Sequence, residues 1–419
     1  MPLSASDTDI PAKVRAWFGR VPPPTLAIAL SGGGDSVALL HILTRCFDPG
    51  QVRLVAATVD HGLRDGSARE ADQAGRQAES LGVPHSVLRW RGWDGSGNLQ
   101  DAARAARYDL LCDWARGAGA AALALGHTLD DQAETLLMRL ARTAGPAGLA
   151  GIPPRRLRGG VMILRPLLEI ARADLRAYLR HNGLSWAEDP SNTDDRFARV
   201  RARAALAALA PLGVTPDALA GVARNMAGAE QTLGWAAFEA ARASARVVAG
   251  CVVLDPHALR LMPEEIARRL LTGAVSWVGR GDYPPRRRPV AALLRDLHRG
   301  QGGTLGGCRI VHARGEIWVC REVNALKDIR AAPDEVWDRR WRLTGPMTAG
   351  AEVRALGAKG LSRCPGWTET GLPRAALEPS PAVWLGNDLR AAPLAGMGLG
   401  WRAEPAEDGP GFAATLLSH

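Results

Sequence analysis

Residues 25 to about 165 alternate short apolar runs with longer stretches of helical spacing. Residues 25–30 predict a strand and 37–45 a helix. Residues 52–59 and 83–88 predict two more strands, with a helix over 67–81 between them. Leu99–Gly117 is a long helical run, 121–125 a strand of small residues, and 129–142 another helix. Residues 162–168 and the helix Arg172–His181 close the pattern. This alternation predicts an α/β domain, a doubly wound parallel sheet with helices on both faces. Such sheets bind ligands beyond the carboxyl ends of their strands. Residues 145–160 carry Gly-Pro and Pro-Pro breaks and three arginines, and predict a mobile or ligand-contacting loop.

The pattern then changes. Residues 201–230, and on to about 270, are rich in Ala and Leu at helical spacing and predict a helical middle region. The run Pro284-Pro285-Arg286-Arg287-Arg288-Pro289 is a stiff basic break. A helix over 290–299 follows, then strands at Cys308–Ala313 and Glu316–Arg321 around a turn at Arg314-Gly315. Seven of the 13 tryptophans lie from Trp277 onward, so a small mixed α+β domain is expected there. The tail after about Gly396 shows no clear pattern. These shifts divide the chain into 1–210, 211–283 and 284–419.

A net charge of +9, carried almost wholly by arginine, favours a polyanionic partner with RNA or DNA first. The six cysteines are scattered without a CxxC pair, so they read as buried apolar residues rather than a disulfide framework or metal site. No window is long and apolar enough to predict a membrane span or signal core, which makes the cytoplasm the expected compartment. The oligomeric state stays open, a homodimer being one option.

Candidate chemistry sits at the predicted carboxyl edge of the sheet. Ser31-Gly32-Gly33-Gly34-Asp35-Ser36 follows the first strand and opens a helix. Consecutive glycines let backbone N–H groups converge on phosphate, the helix adds its positive end, and the two serines offer hydroxyls. Asp35 beside phosphate requires an intervening cation, hence magnesium. The loop lacks the lysine of GxxxxGK[ST]. That points to attack at an α-phosphate with pyrophosphate leaving, rather than γ-transfer.

Three further runs join it. His61 and Arg64, in Asp60-His61-Gly62-Leu63-Arg64, can reach phosphate or substrate. Arg104, Arg107 and Tyr108 lie on neighbouring helical faces and form a candidate arginine clamp. In the run from Gly126 to Thr135, His127, Asp131 and Glu134 share a helical face, with Asp130 beside them. Thr128 and Asp131 also fit a capping box, yet a cap uses one carboxylate and leaves the others to metal or substrate. The turn-forming run from Asp189 to Asn192 leads to Arg196, Arg199, Arg201 and Arg203, a basic helix start suited to RNA phosphates.

The loop resembles that of the PP-loop ATP pyrophosphatases. With DHGLR, the run from Leu99 to Tyr108, GHTLDDQAET, RPLL and EDPSN in this order, residues 24–205 are similar to the tRNA(Ile)-lysidine synthases. Gly303-Thr304-Leu305-Gly306-Gly307 gives a weaker echo in the C-terminal part. Two departures are His127-Thr128, where the family often has two histidines, and Val200, where it tends to have an asparagine. The resemblance implies a PP-loop catalytic domain of the adenine nucleotide alpha hydrolase type. It implies ATP and Mg2+, free L-lysine, and the isoleucine tRNA with a CAU anticodon. ATP adenylates the C2 oxygen of the wobble cytidine, then lysine displaces AMP to give lysidine, which reads AUA instead of AUG. The roles expected are Asp35 and Asp131 at the metal or lysine, Ser31 to Ser36 at pyrophosphate, and Arg107 and His127 in stabilisation. Substrate contact is expected from His61, Arg64, Arg104, Asp130, Glu134, Asp189, Asn192, Arg199 and Arg203. A tRNA cytidine 2-thiolase and a non-catalytic ATP- or RNA-binding protein are the competing readings.

Overall fold

The computed structural model describes residues 9–48, 50–62, 66–91, 93, 99–187, 198–281, 283–347, 349–406 and 411–417. The chain forms two compact units, divided after Glu230.

In the first unit α1 (Ile10–Phe18) precedes β1 (Thr25–Ala29), α2 (Gly34–Cys46), β2 (Arg53–Asp60), α3 (Ser67–Ser80) and β3 (His85–Arg89). Then come α4 (Leu99–Gly117), β4 (Ala122–Ala124), α5 (Leu129–Leu140), α6 (Pro146–Leu149), β5 (Arg155–Arg158), β6 (Val161–Leu164), α7 (Arg172–His181) and α8 (Ala198–Leu209). The sheet order is β3-β2-β1-β4-β6-β5, parallel except for β5. From β1 the chain moves one way to β2 and β3, then returns to place β4 on the other side. The crevice at this reversal is where such sheets bind ligands. Leu26 pairs with Ala122 and Ile28 with Ala124, so the loops leaving β1 and β4 emerge side by side.

β1 and β4 are buried because both sheet faces are covered. Leu26, Ile28, Ala122 and Ala124 point into the core made with α1, α2, α3 and α7. Ala27 and Leu123 point the opposite way, toward Tyr108, Leu111 and Ala115 of α4.

Three expectations need correction. Residues 145–160 are not a loop throughout, since they hold α6 and β5. β5 forms an antiparallel hairpin with β6 through Gly159 and Gly160, both at positive φ. The Gln132 side chain pairs with both backbone groups of Ile152, and Arg139 donates to the carbonyls of Gly148 and Gly151. The residues of β5 are Arg-Arg-Leu-Arg, an edge strand whose polar composition hid it.

The helical region is also interrupted. α9 (Pro216–Ser244) ends in a hairpin of β7 (Ala245–Val248) and β8 (Cys251–Leu254), turning at Ala249 and Gly250 with positive φ. In the second unit α10 (Pro256–Leu261), α11 (Glu264–Gly279) and α12 (Arg287–His298) follow. β9 (Gly303–Leu305), β10 (Cys308–Ala313) and β11 (Glu316–Arg321) complete a five-stranded sheet ordered β7-β8-β11-β10-β9, its core packed on α11 and α12. The Arg314-Gly315 turn joins β10 to β11, with positive φ at both residues.

β12 (Trp341–Thr344), β13 (Glu352–Ala355), β14 (Pro381–Leu385), β15 (Asp388–Ala391) and β16 (Arg402–Pro405) form two small sheets. The tail is thus patterned after all, since β16 pairs with β12. Its partner is distant in sequence, so local periodicity could not announce it. All six cysteines are buried and free. Among the described residues no single helix is long and apolar enough to cross a membrane.

Ile28 is fully buried in the middle of β1. Ile28→Ala is expected to lower the opening free energy of the β1 amides by about 3 kcal/mol. Native-state hydrogen exchange at β1 measures this.

Candidate active site

The loop after β1 is shaped by its glycines. Gly32 has φ +80°, and Gly33 caps α2 in extended conformation. A Cβ on Gly34 would meet Arg176 Nε at 3.3 Å and Trp186 Cδ1 at 3.4 Å. Ala187 N–H donates to the Gly32 carbonyl at 3.0 Å, so the segment after α7 closes over the loop. The two serines are joined. Ser36 Oγ donates to the Gly33 carbonyl at 2.9 Å and accepts from Ser31 N–H at 3.1 Å. Its one proton is thereby used, so Ser31 Oγ donates across the 3.0 Å contact with Ser36 Oγ. Ser36 stiffens the loop from inside, and Ser31 is the more exposed of the two.

Beside this loop stands a cluster of carboxylates around one guanidinium. Arg172 Nε donates to Asp35 Oδ2 at 3.1 Å and Nη1 to Glu134 Oε1 at 3.2 Å, with Nη2 3.5 Å from Asp131 Oδ1. The Arg172 backbone N–H donates to Asp130 Oδ2 at 2.7 Å. Arg203 Nε also donates to Glu134 Oε1, at 2.6 Å, and Arg199 Nη1 lies 3.5 Å from Asp131 Oδ1. Burial raises the pKa of Asp35, and Arg172 only partly offsets it. Asp131 goes the other way. Burial would raise it, but Arg172, the Thr128 N–H and Arg199 together hold it below the usual range.

The capping box at the start of α5 does form. Thr128 N–H and Oγ–H both donate to Asp131 Oδ2 at 2.9 Å. Both oxygens of Asp131 are therefore engaged. Asp35 Oδ1 and Glu134 Oε2 are different: each is buried with no hydrogen-bond partner. Unpaired buried acceptors of this kind are costly and call for a cation or donor. Among the described residues no group of three or more His, Cys, Asp or Glu side chains has a metal-binding arrangement.

A second cluster is basic. Arg158, Arg104 and Arg107 lie 5.1, 5.4 and 5.8 Å from the centroid of the Tyr108 ring. Burial would raise the Tyr108 pKa, but Arg104, Arg107 and Arg165 bring it below the usual phenol value. Arg107 Nε is buried without a partner. Arg165 donates through Nε to His127 Nδ1 at 3.2 Å and through Nη1 to the Pro153 carbonyl at 2.7 Å. Since Nδ1 accepts, the proton of His127 is assigned to Nε2. Burial pushes its pKa down to about 3, against the pull of Asp131, and the ring is a neutral donor near neutral pH.

Comparison with known proteins decides the family. Residues 6–210 match the PP-loop domain family. The tRNA(Ile)-lysidine synthase of Ruegeria pomeroyi is 52% identical over 419 residues, covering 100% of both chains. The chain belongs to the tRNA(Ile)-lysidine synthase family. The synthase of Methylobacterium sp. (strain 4-46) is 46% identical over 73% of this chain and 91% of its own. Among solved structures, the U34-tRNA thiolase NcsA from Methanococcus maripaludis aligns with 52% of this chain and 78% of its own, at 20% identity and a TM-score of 0.45. This lysidine synthase family member is a PP-loop ligase that modifies tRNA and uses ATP.

In this family member the fold brings together most of the residues singled out from sequence. Asp35, Asp130, Asp131, Glu134, Arg199 and Arg203 meet around Arg172, and Arg104 and Arg107 meet at Tyr108. Arg199 and Arg203, expected at RNA phosphates, are turned toward carboxylates. His61 stands in T-shaped contact with Trp90 at 5.9 Å, its Nδ1 buried and unpartnered. Burial, then Arg107, lowers its pKa. Arg64, Asp189 and Asn192 lie outside the described residues.

Arg172 and Arg165 were not among the expected site residues. Arg172 left one signal. It is the first residue of α7, where a cation opposes the helix dipole and so needs another reason to be there. Arg165 lies in the RPLL run but follows a strand, with nothing local to mark its role.

Two outcomes are expected. A Cβ on Gly126 would lie 2.9 Å from the Asp35 carbonyl oxygen and 3.1 Å from Ser36 N, both backbone atoms. Gly126→Ala should displace the loop and reduce turnover roughly a hundredfold while circular dichroism stays native. His127 binds fewer protons folded than unfolded between about pH 6.5 and its folded value of about 3. Its contribution to stability is therefore complete above about pH 6.5 and lost as pH falls. His127→Gln should flatten the fall in unfolding free energy between pH 7 and pH 5, by up to about 1.4 kcal/mol per pH unit.

Proposed function

We propose that this chain joins free L-lysine to C2 of the wobble cytidine in the isoleucine tRNA with a CAU anticodon. The C2 oxygen attacks the α-phosphorus of ATP and pyrophosphate leaves. The ε-amino nitrogen of lysine then attacks C2, loses a proton, and the oxygen departs with AMP. The product is lysidine, which shifts reading from AUG to AUA. The reaction belongs in the cytoplasm, where tRNA, ATP and free lysine meet.

The observation that carries this reading is the pair of unpartnered buried oxygens, Asp35 Oδ1 and Glu134 Oε2, on either side of Arg172. Asp35 opens α2 next to the phosphate loop, so its free oxygen suits Mg2+. Bound there, Mg2+ would neutralise charge on the triphosphate. Glu134, almost fully buried, suits an ammonium group of lysine. Asp131, with both oxygens engaged, fits a role in holding Thr128 and the two arginines rather than in binding metal. Arg104 and Arg107 suit phosphate oxygens, and His127 Nε2–H can orient the base or phosphate without changing charge.

The six buried cysteines support ligation over thiolation. Burial raises the thiol of Cys46 to about 11 and that of Cys308 to about 12, far from the reactive range.

Purified protein with ATP and unmodified tRNA should release AMP only when lysine is added, and the anticodon nucleoside should gain the mass of lysine. Lysine-independent AMP release, or sulfur in the product, would sink the proposal. Asp35→Asn should lower turnover more than about a hundredfold while tRNA binding persists. Filter binding and AMP release measured on the same preparation separate the two effects.

A further inference from the structure

We propose that Arg280 and Arg339, backed by Arg340 over Trp277, form a phosphate-binding site in the second unit that takes a backbone phosphodiester of RNA. The site is made by two strained turns. Arg280 ends α11 in the left-handed region at φ 52°. Asp338 and Arg339 are consecutive non-glycine residues at φ 50° and 53°, in a turn closed by mutual backbone bonds between Trp337 and Trp341. Strain of this sort, about 1 kcal/mol or more per residue, persists where the surroundings enforce it and gathers at binding sites. Arg339 Nη2 donates to the Arg280 carbonyl at 2.8 Å and so ties the turns together.

Among the described residues, arginines outnumber carboxylates around these turns. The Arg340 and Arg280 guanidinium carbons lie 5.3 and 5.9 Å from the Trp277 ring centroid. Arg340 is buried and donates to the Gly250 carbonyl. Among the described residues Asp338 is the carboxylate beside this cluster, and Arg321 already grips it through Nε at 3.0 Å and Nη2 at 3.1 Å. Arg280, Arg339 and Arg340 form no salt bridge among the described residues, and Arg280 Nε is buried without any partner. A buried guanidinium nitrogen without an acceptor is expensive, and an anion is what completes such a cluster. Exposed Arg339 and half-buried Arg280 give it an approach from solvent.

A phosphate group fits the donors by geometry, since planar guanidinium groups grip its oxygens in pairs. The choice of RNA as its source rests on the tRNA reading above, while the anion site itself does not.

The test uses the full chain with Arg339→Ala and with Arg280→Asn, a residue that tolerates the left-handed turn. Inorganic phosphate should slow amide exchange at 337–341 in the unaltered protein and not in either variant. For tRNA, each variant should lower affinity severalfold and reduce the slope of log K against log salt by about one. Equal phosphate protection in both variants and the unaltered protein would overturn the site. Phosphate protection that is lost in the variants, with tRNA affinity and salt slope unchanged, would overturn the RNA assignment. If the unaltered protein binds no tRNA, the tRNA reading fails while the exchange result still judges the site.

Discussion

The Arg172 guanidinium holds together carboxylates that would otherwise drive one another apart. Asp35, Asp131 and Glu134 come from two helices and all face it. Like charges about 4 Å apart repel by roughly 4 kcal/mol at an effective dielectric near 20. Without a shared cation, burial on this scale would force protonation or push the helices apart. Its hold on Asp35 anchors the start of α2, where the phosphate loop ends, and its hold on Glu134 anchors α5. Asp130, through the Arg172 backbone N–H, pins the start of α7 to the same place.

The rest of the site is arranged around this separation of charge. On one side lie acids with two oxygens left unpartnered; on the other, Arg104, Arg107 and Arg158 gather at one phenol ring. His127 stands between them and stays neutral, since burial outweighs the pull of Asp131. In the second unit, among the described residues, Arg280, Arg339, Arg340 and Arg321 gather near one carboxylate, Asp338, at strained turns rather than at a sheet edge.

Much of the first unit was legible in the sequence because its information is local. Apolar strands followed by helices give both the elements and the edge at which the loops emerge, and Leu99–Gly117 and Arg172–His181 match the observed helices. The PP-loop family match rests on the same segments. β5 was missed because an exposed edge strand needs no apolar alternation, and β16 because its partner β12 is about sixty residues away. The hairpin of β7 and β8 was absorbed into a helical run, since small apolar residues serve both periods.

The sequence by itself determined the sheet-and-helix order, the phosphate loop and the residue types on offer at the ligand edge. Short segments encode these, and each obeys a period or a turn chemistry of its own. Tertiary structure alone decided which charges meet. Only the folded chain places Arg172 on three acids, gives both oxygens of Asp131 to partners, and leaves one oxygen each of Asp35 and Glu134 without any. Those pairings depend on distances of a few ångströms between residues far apart in sequence, and no local pattern carries that information.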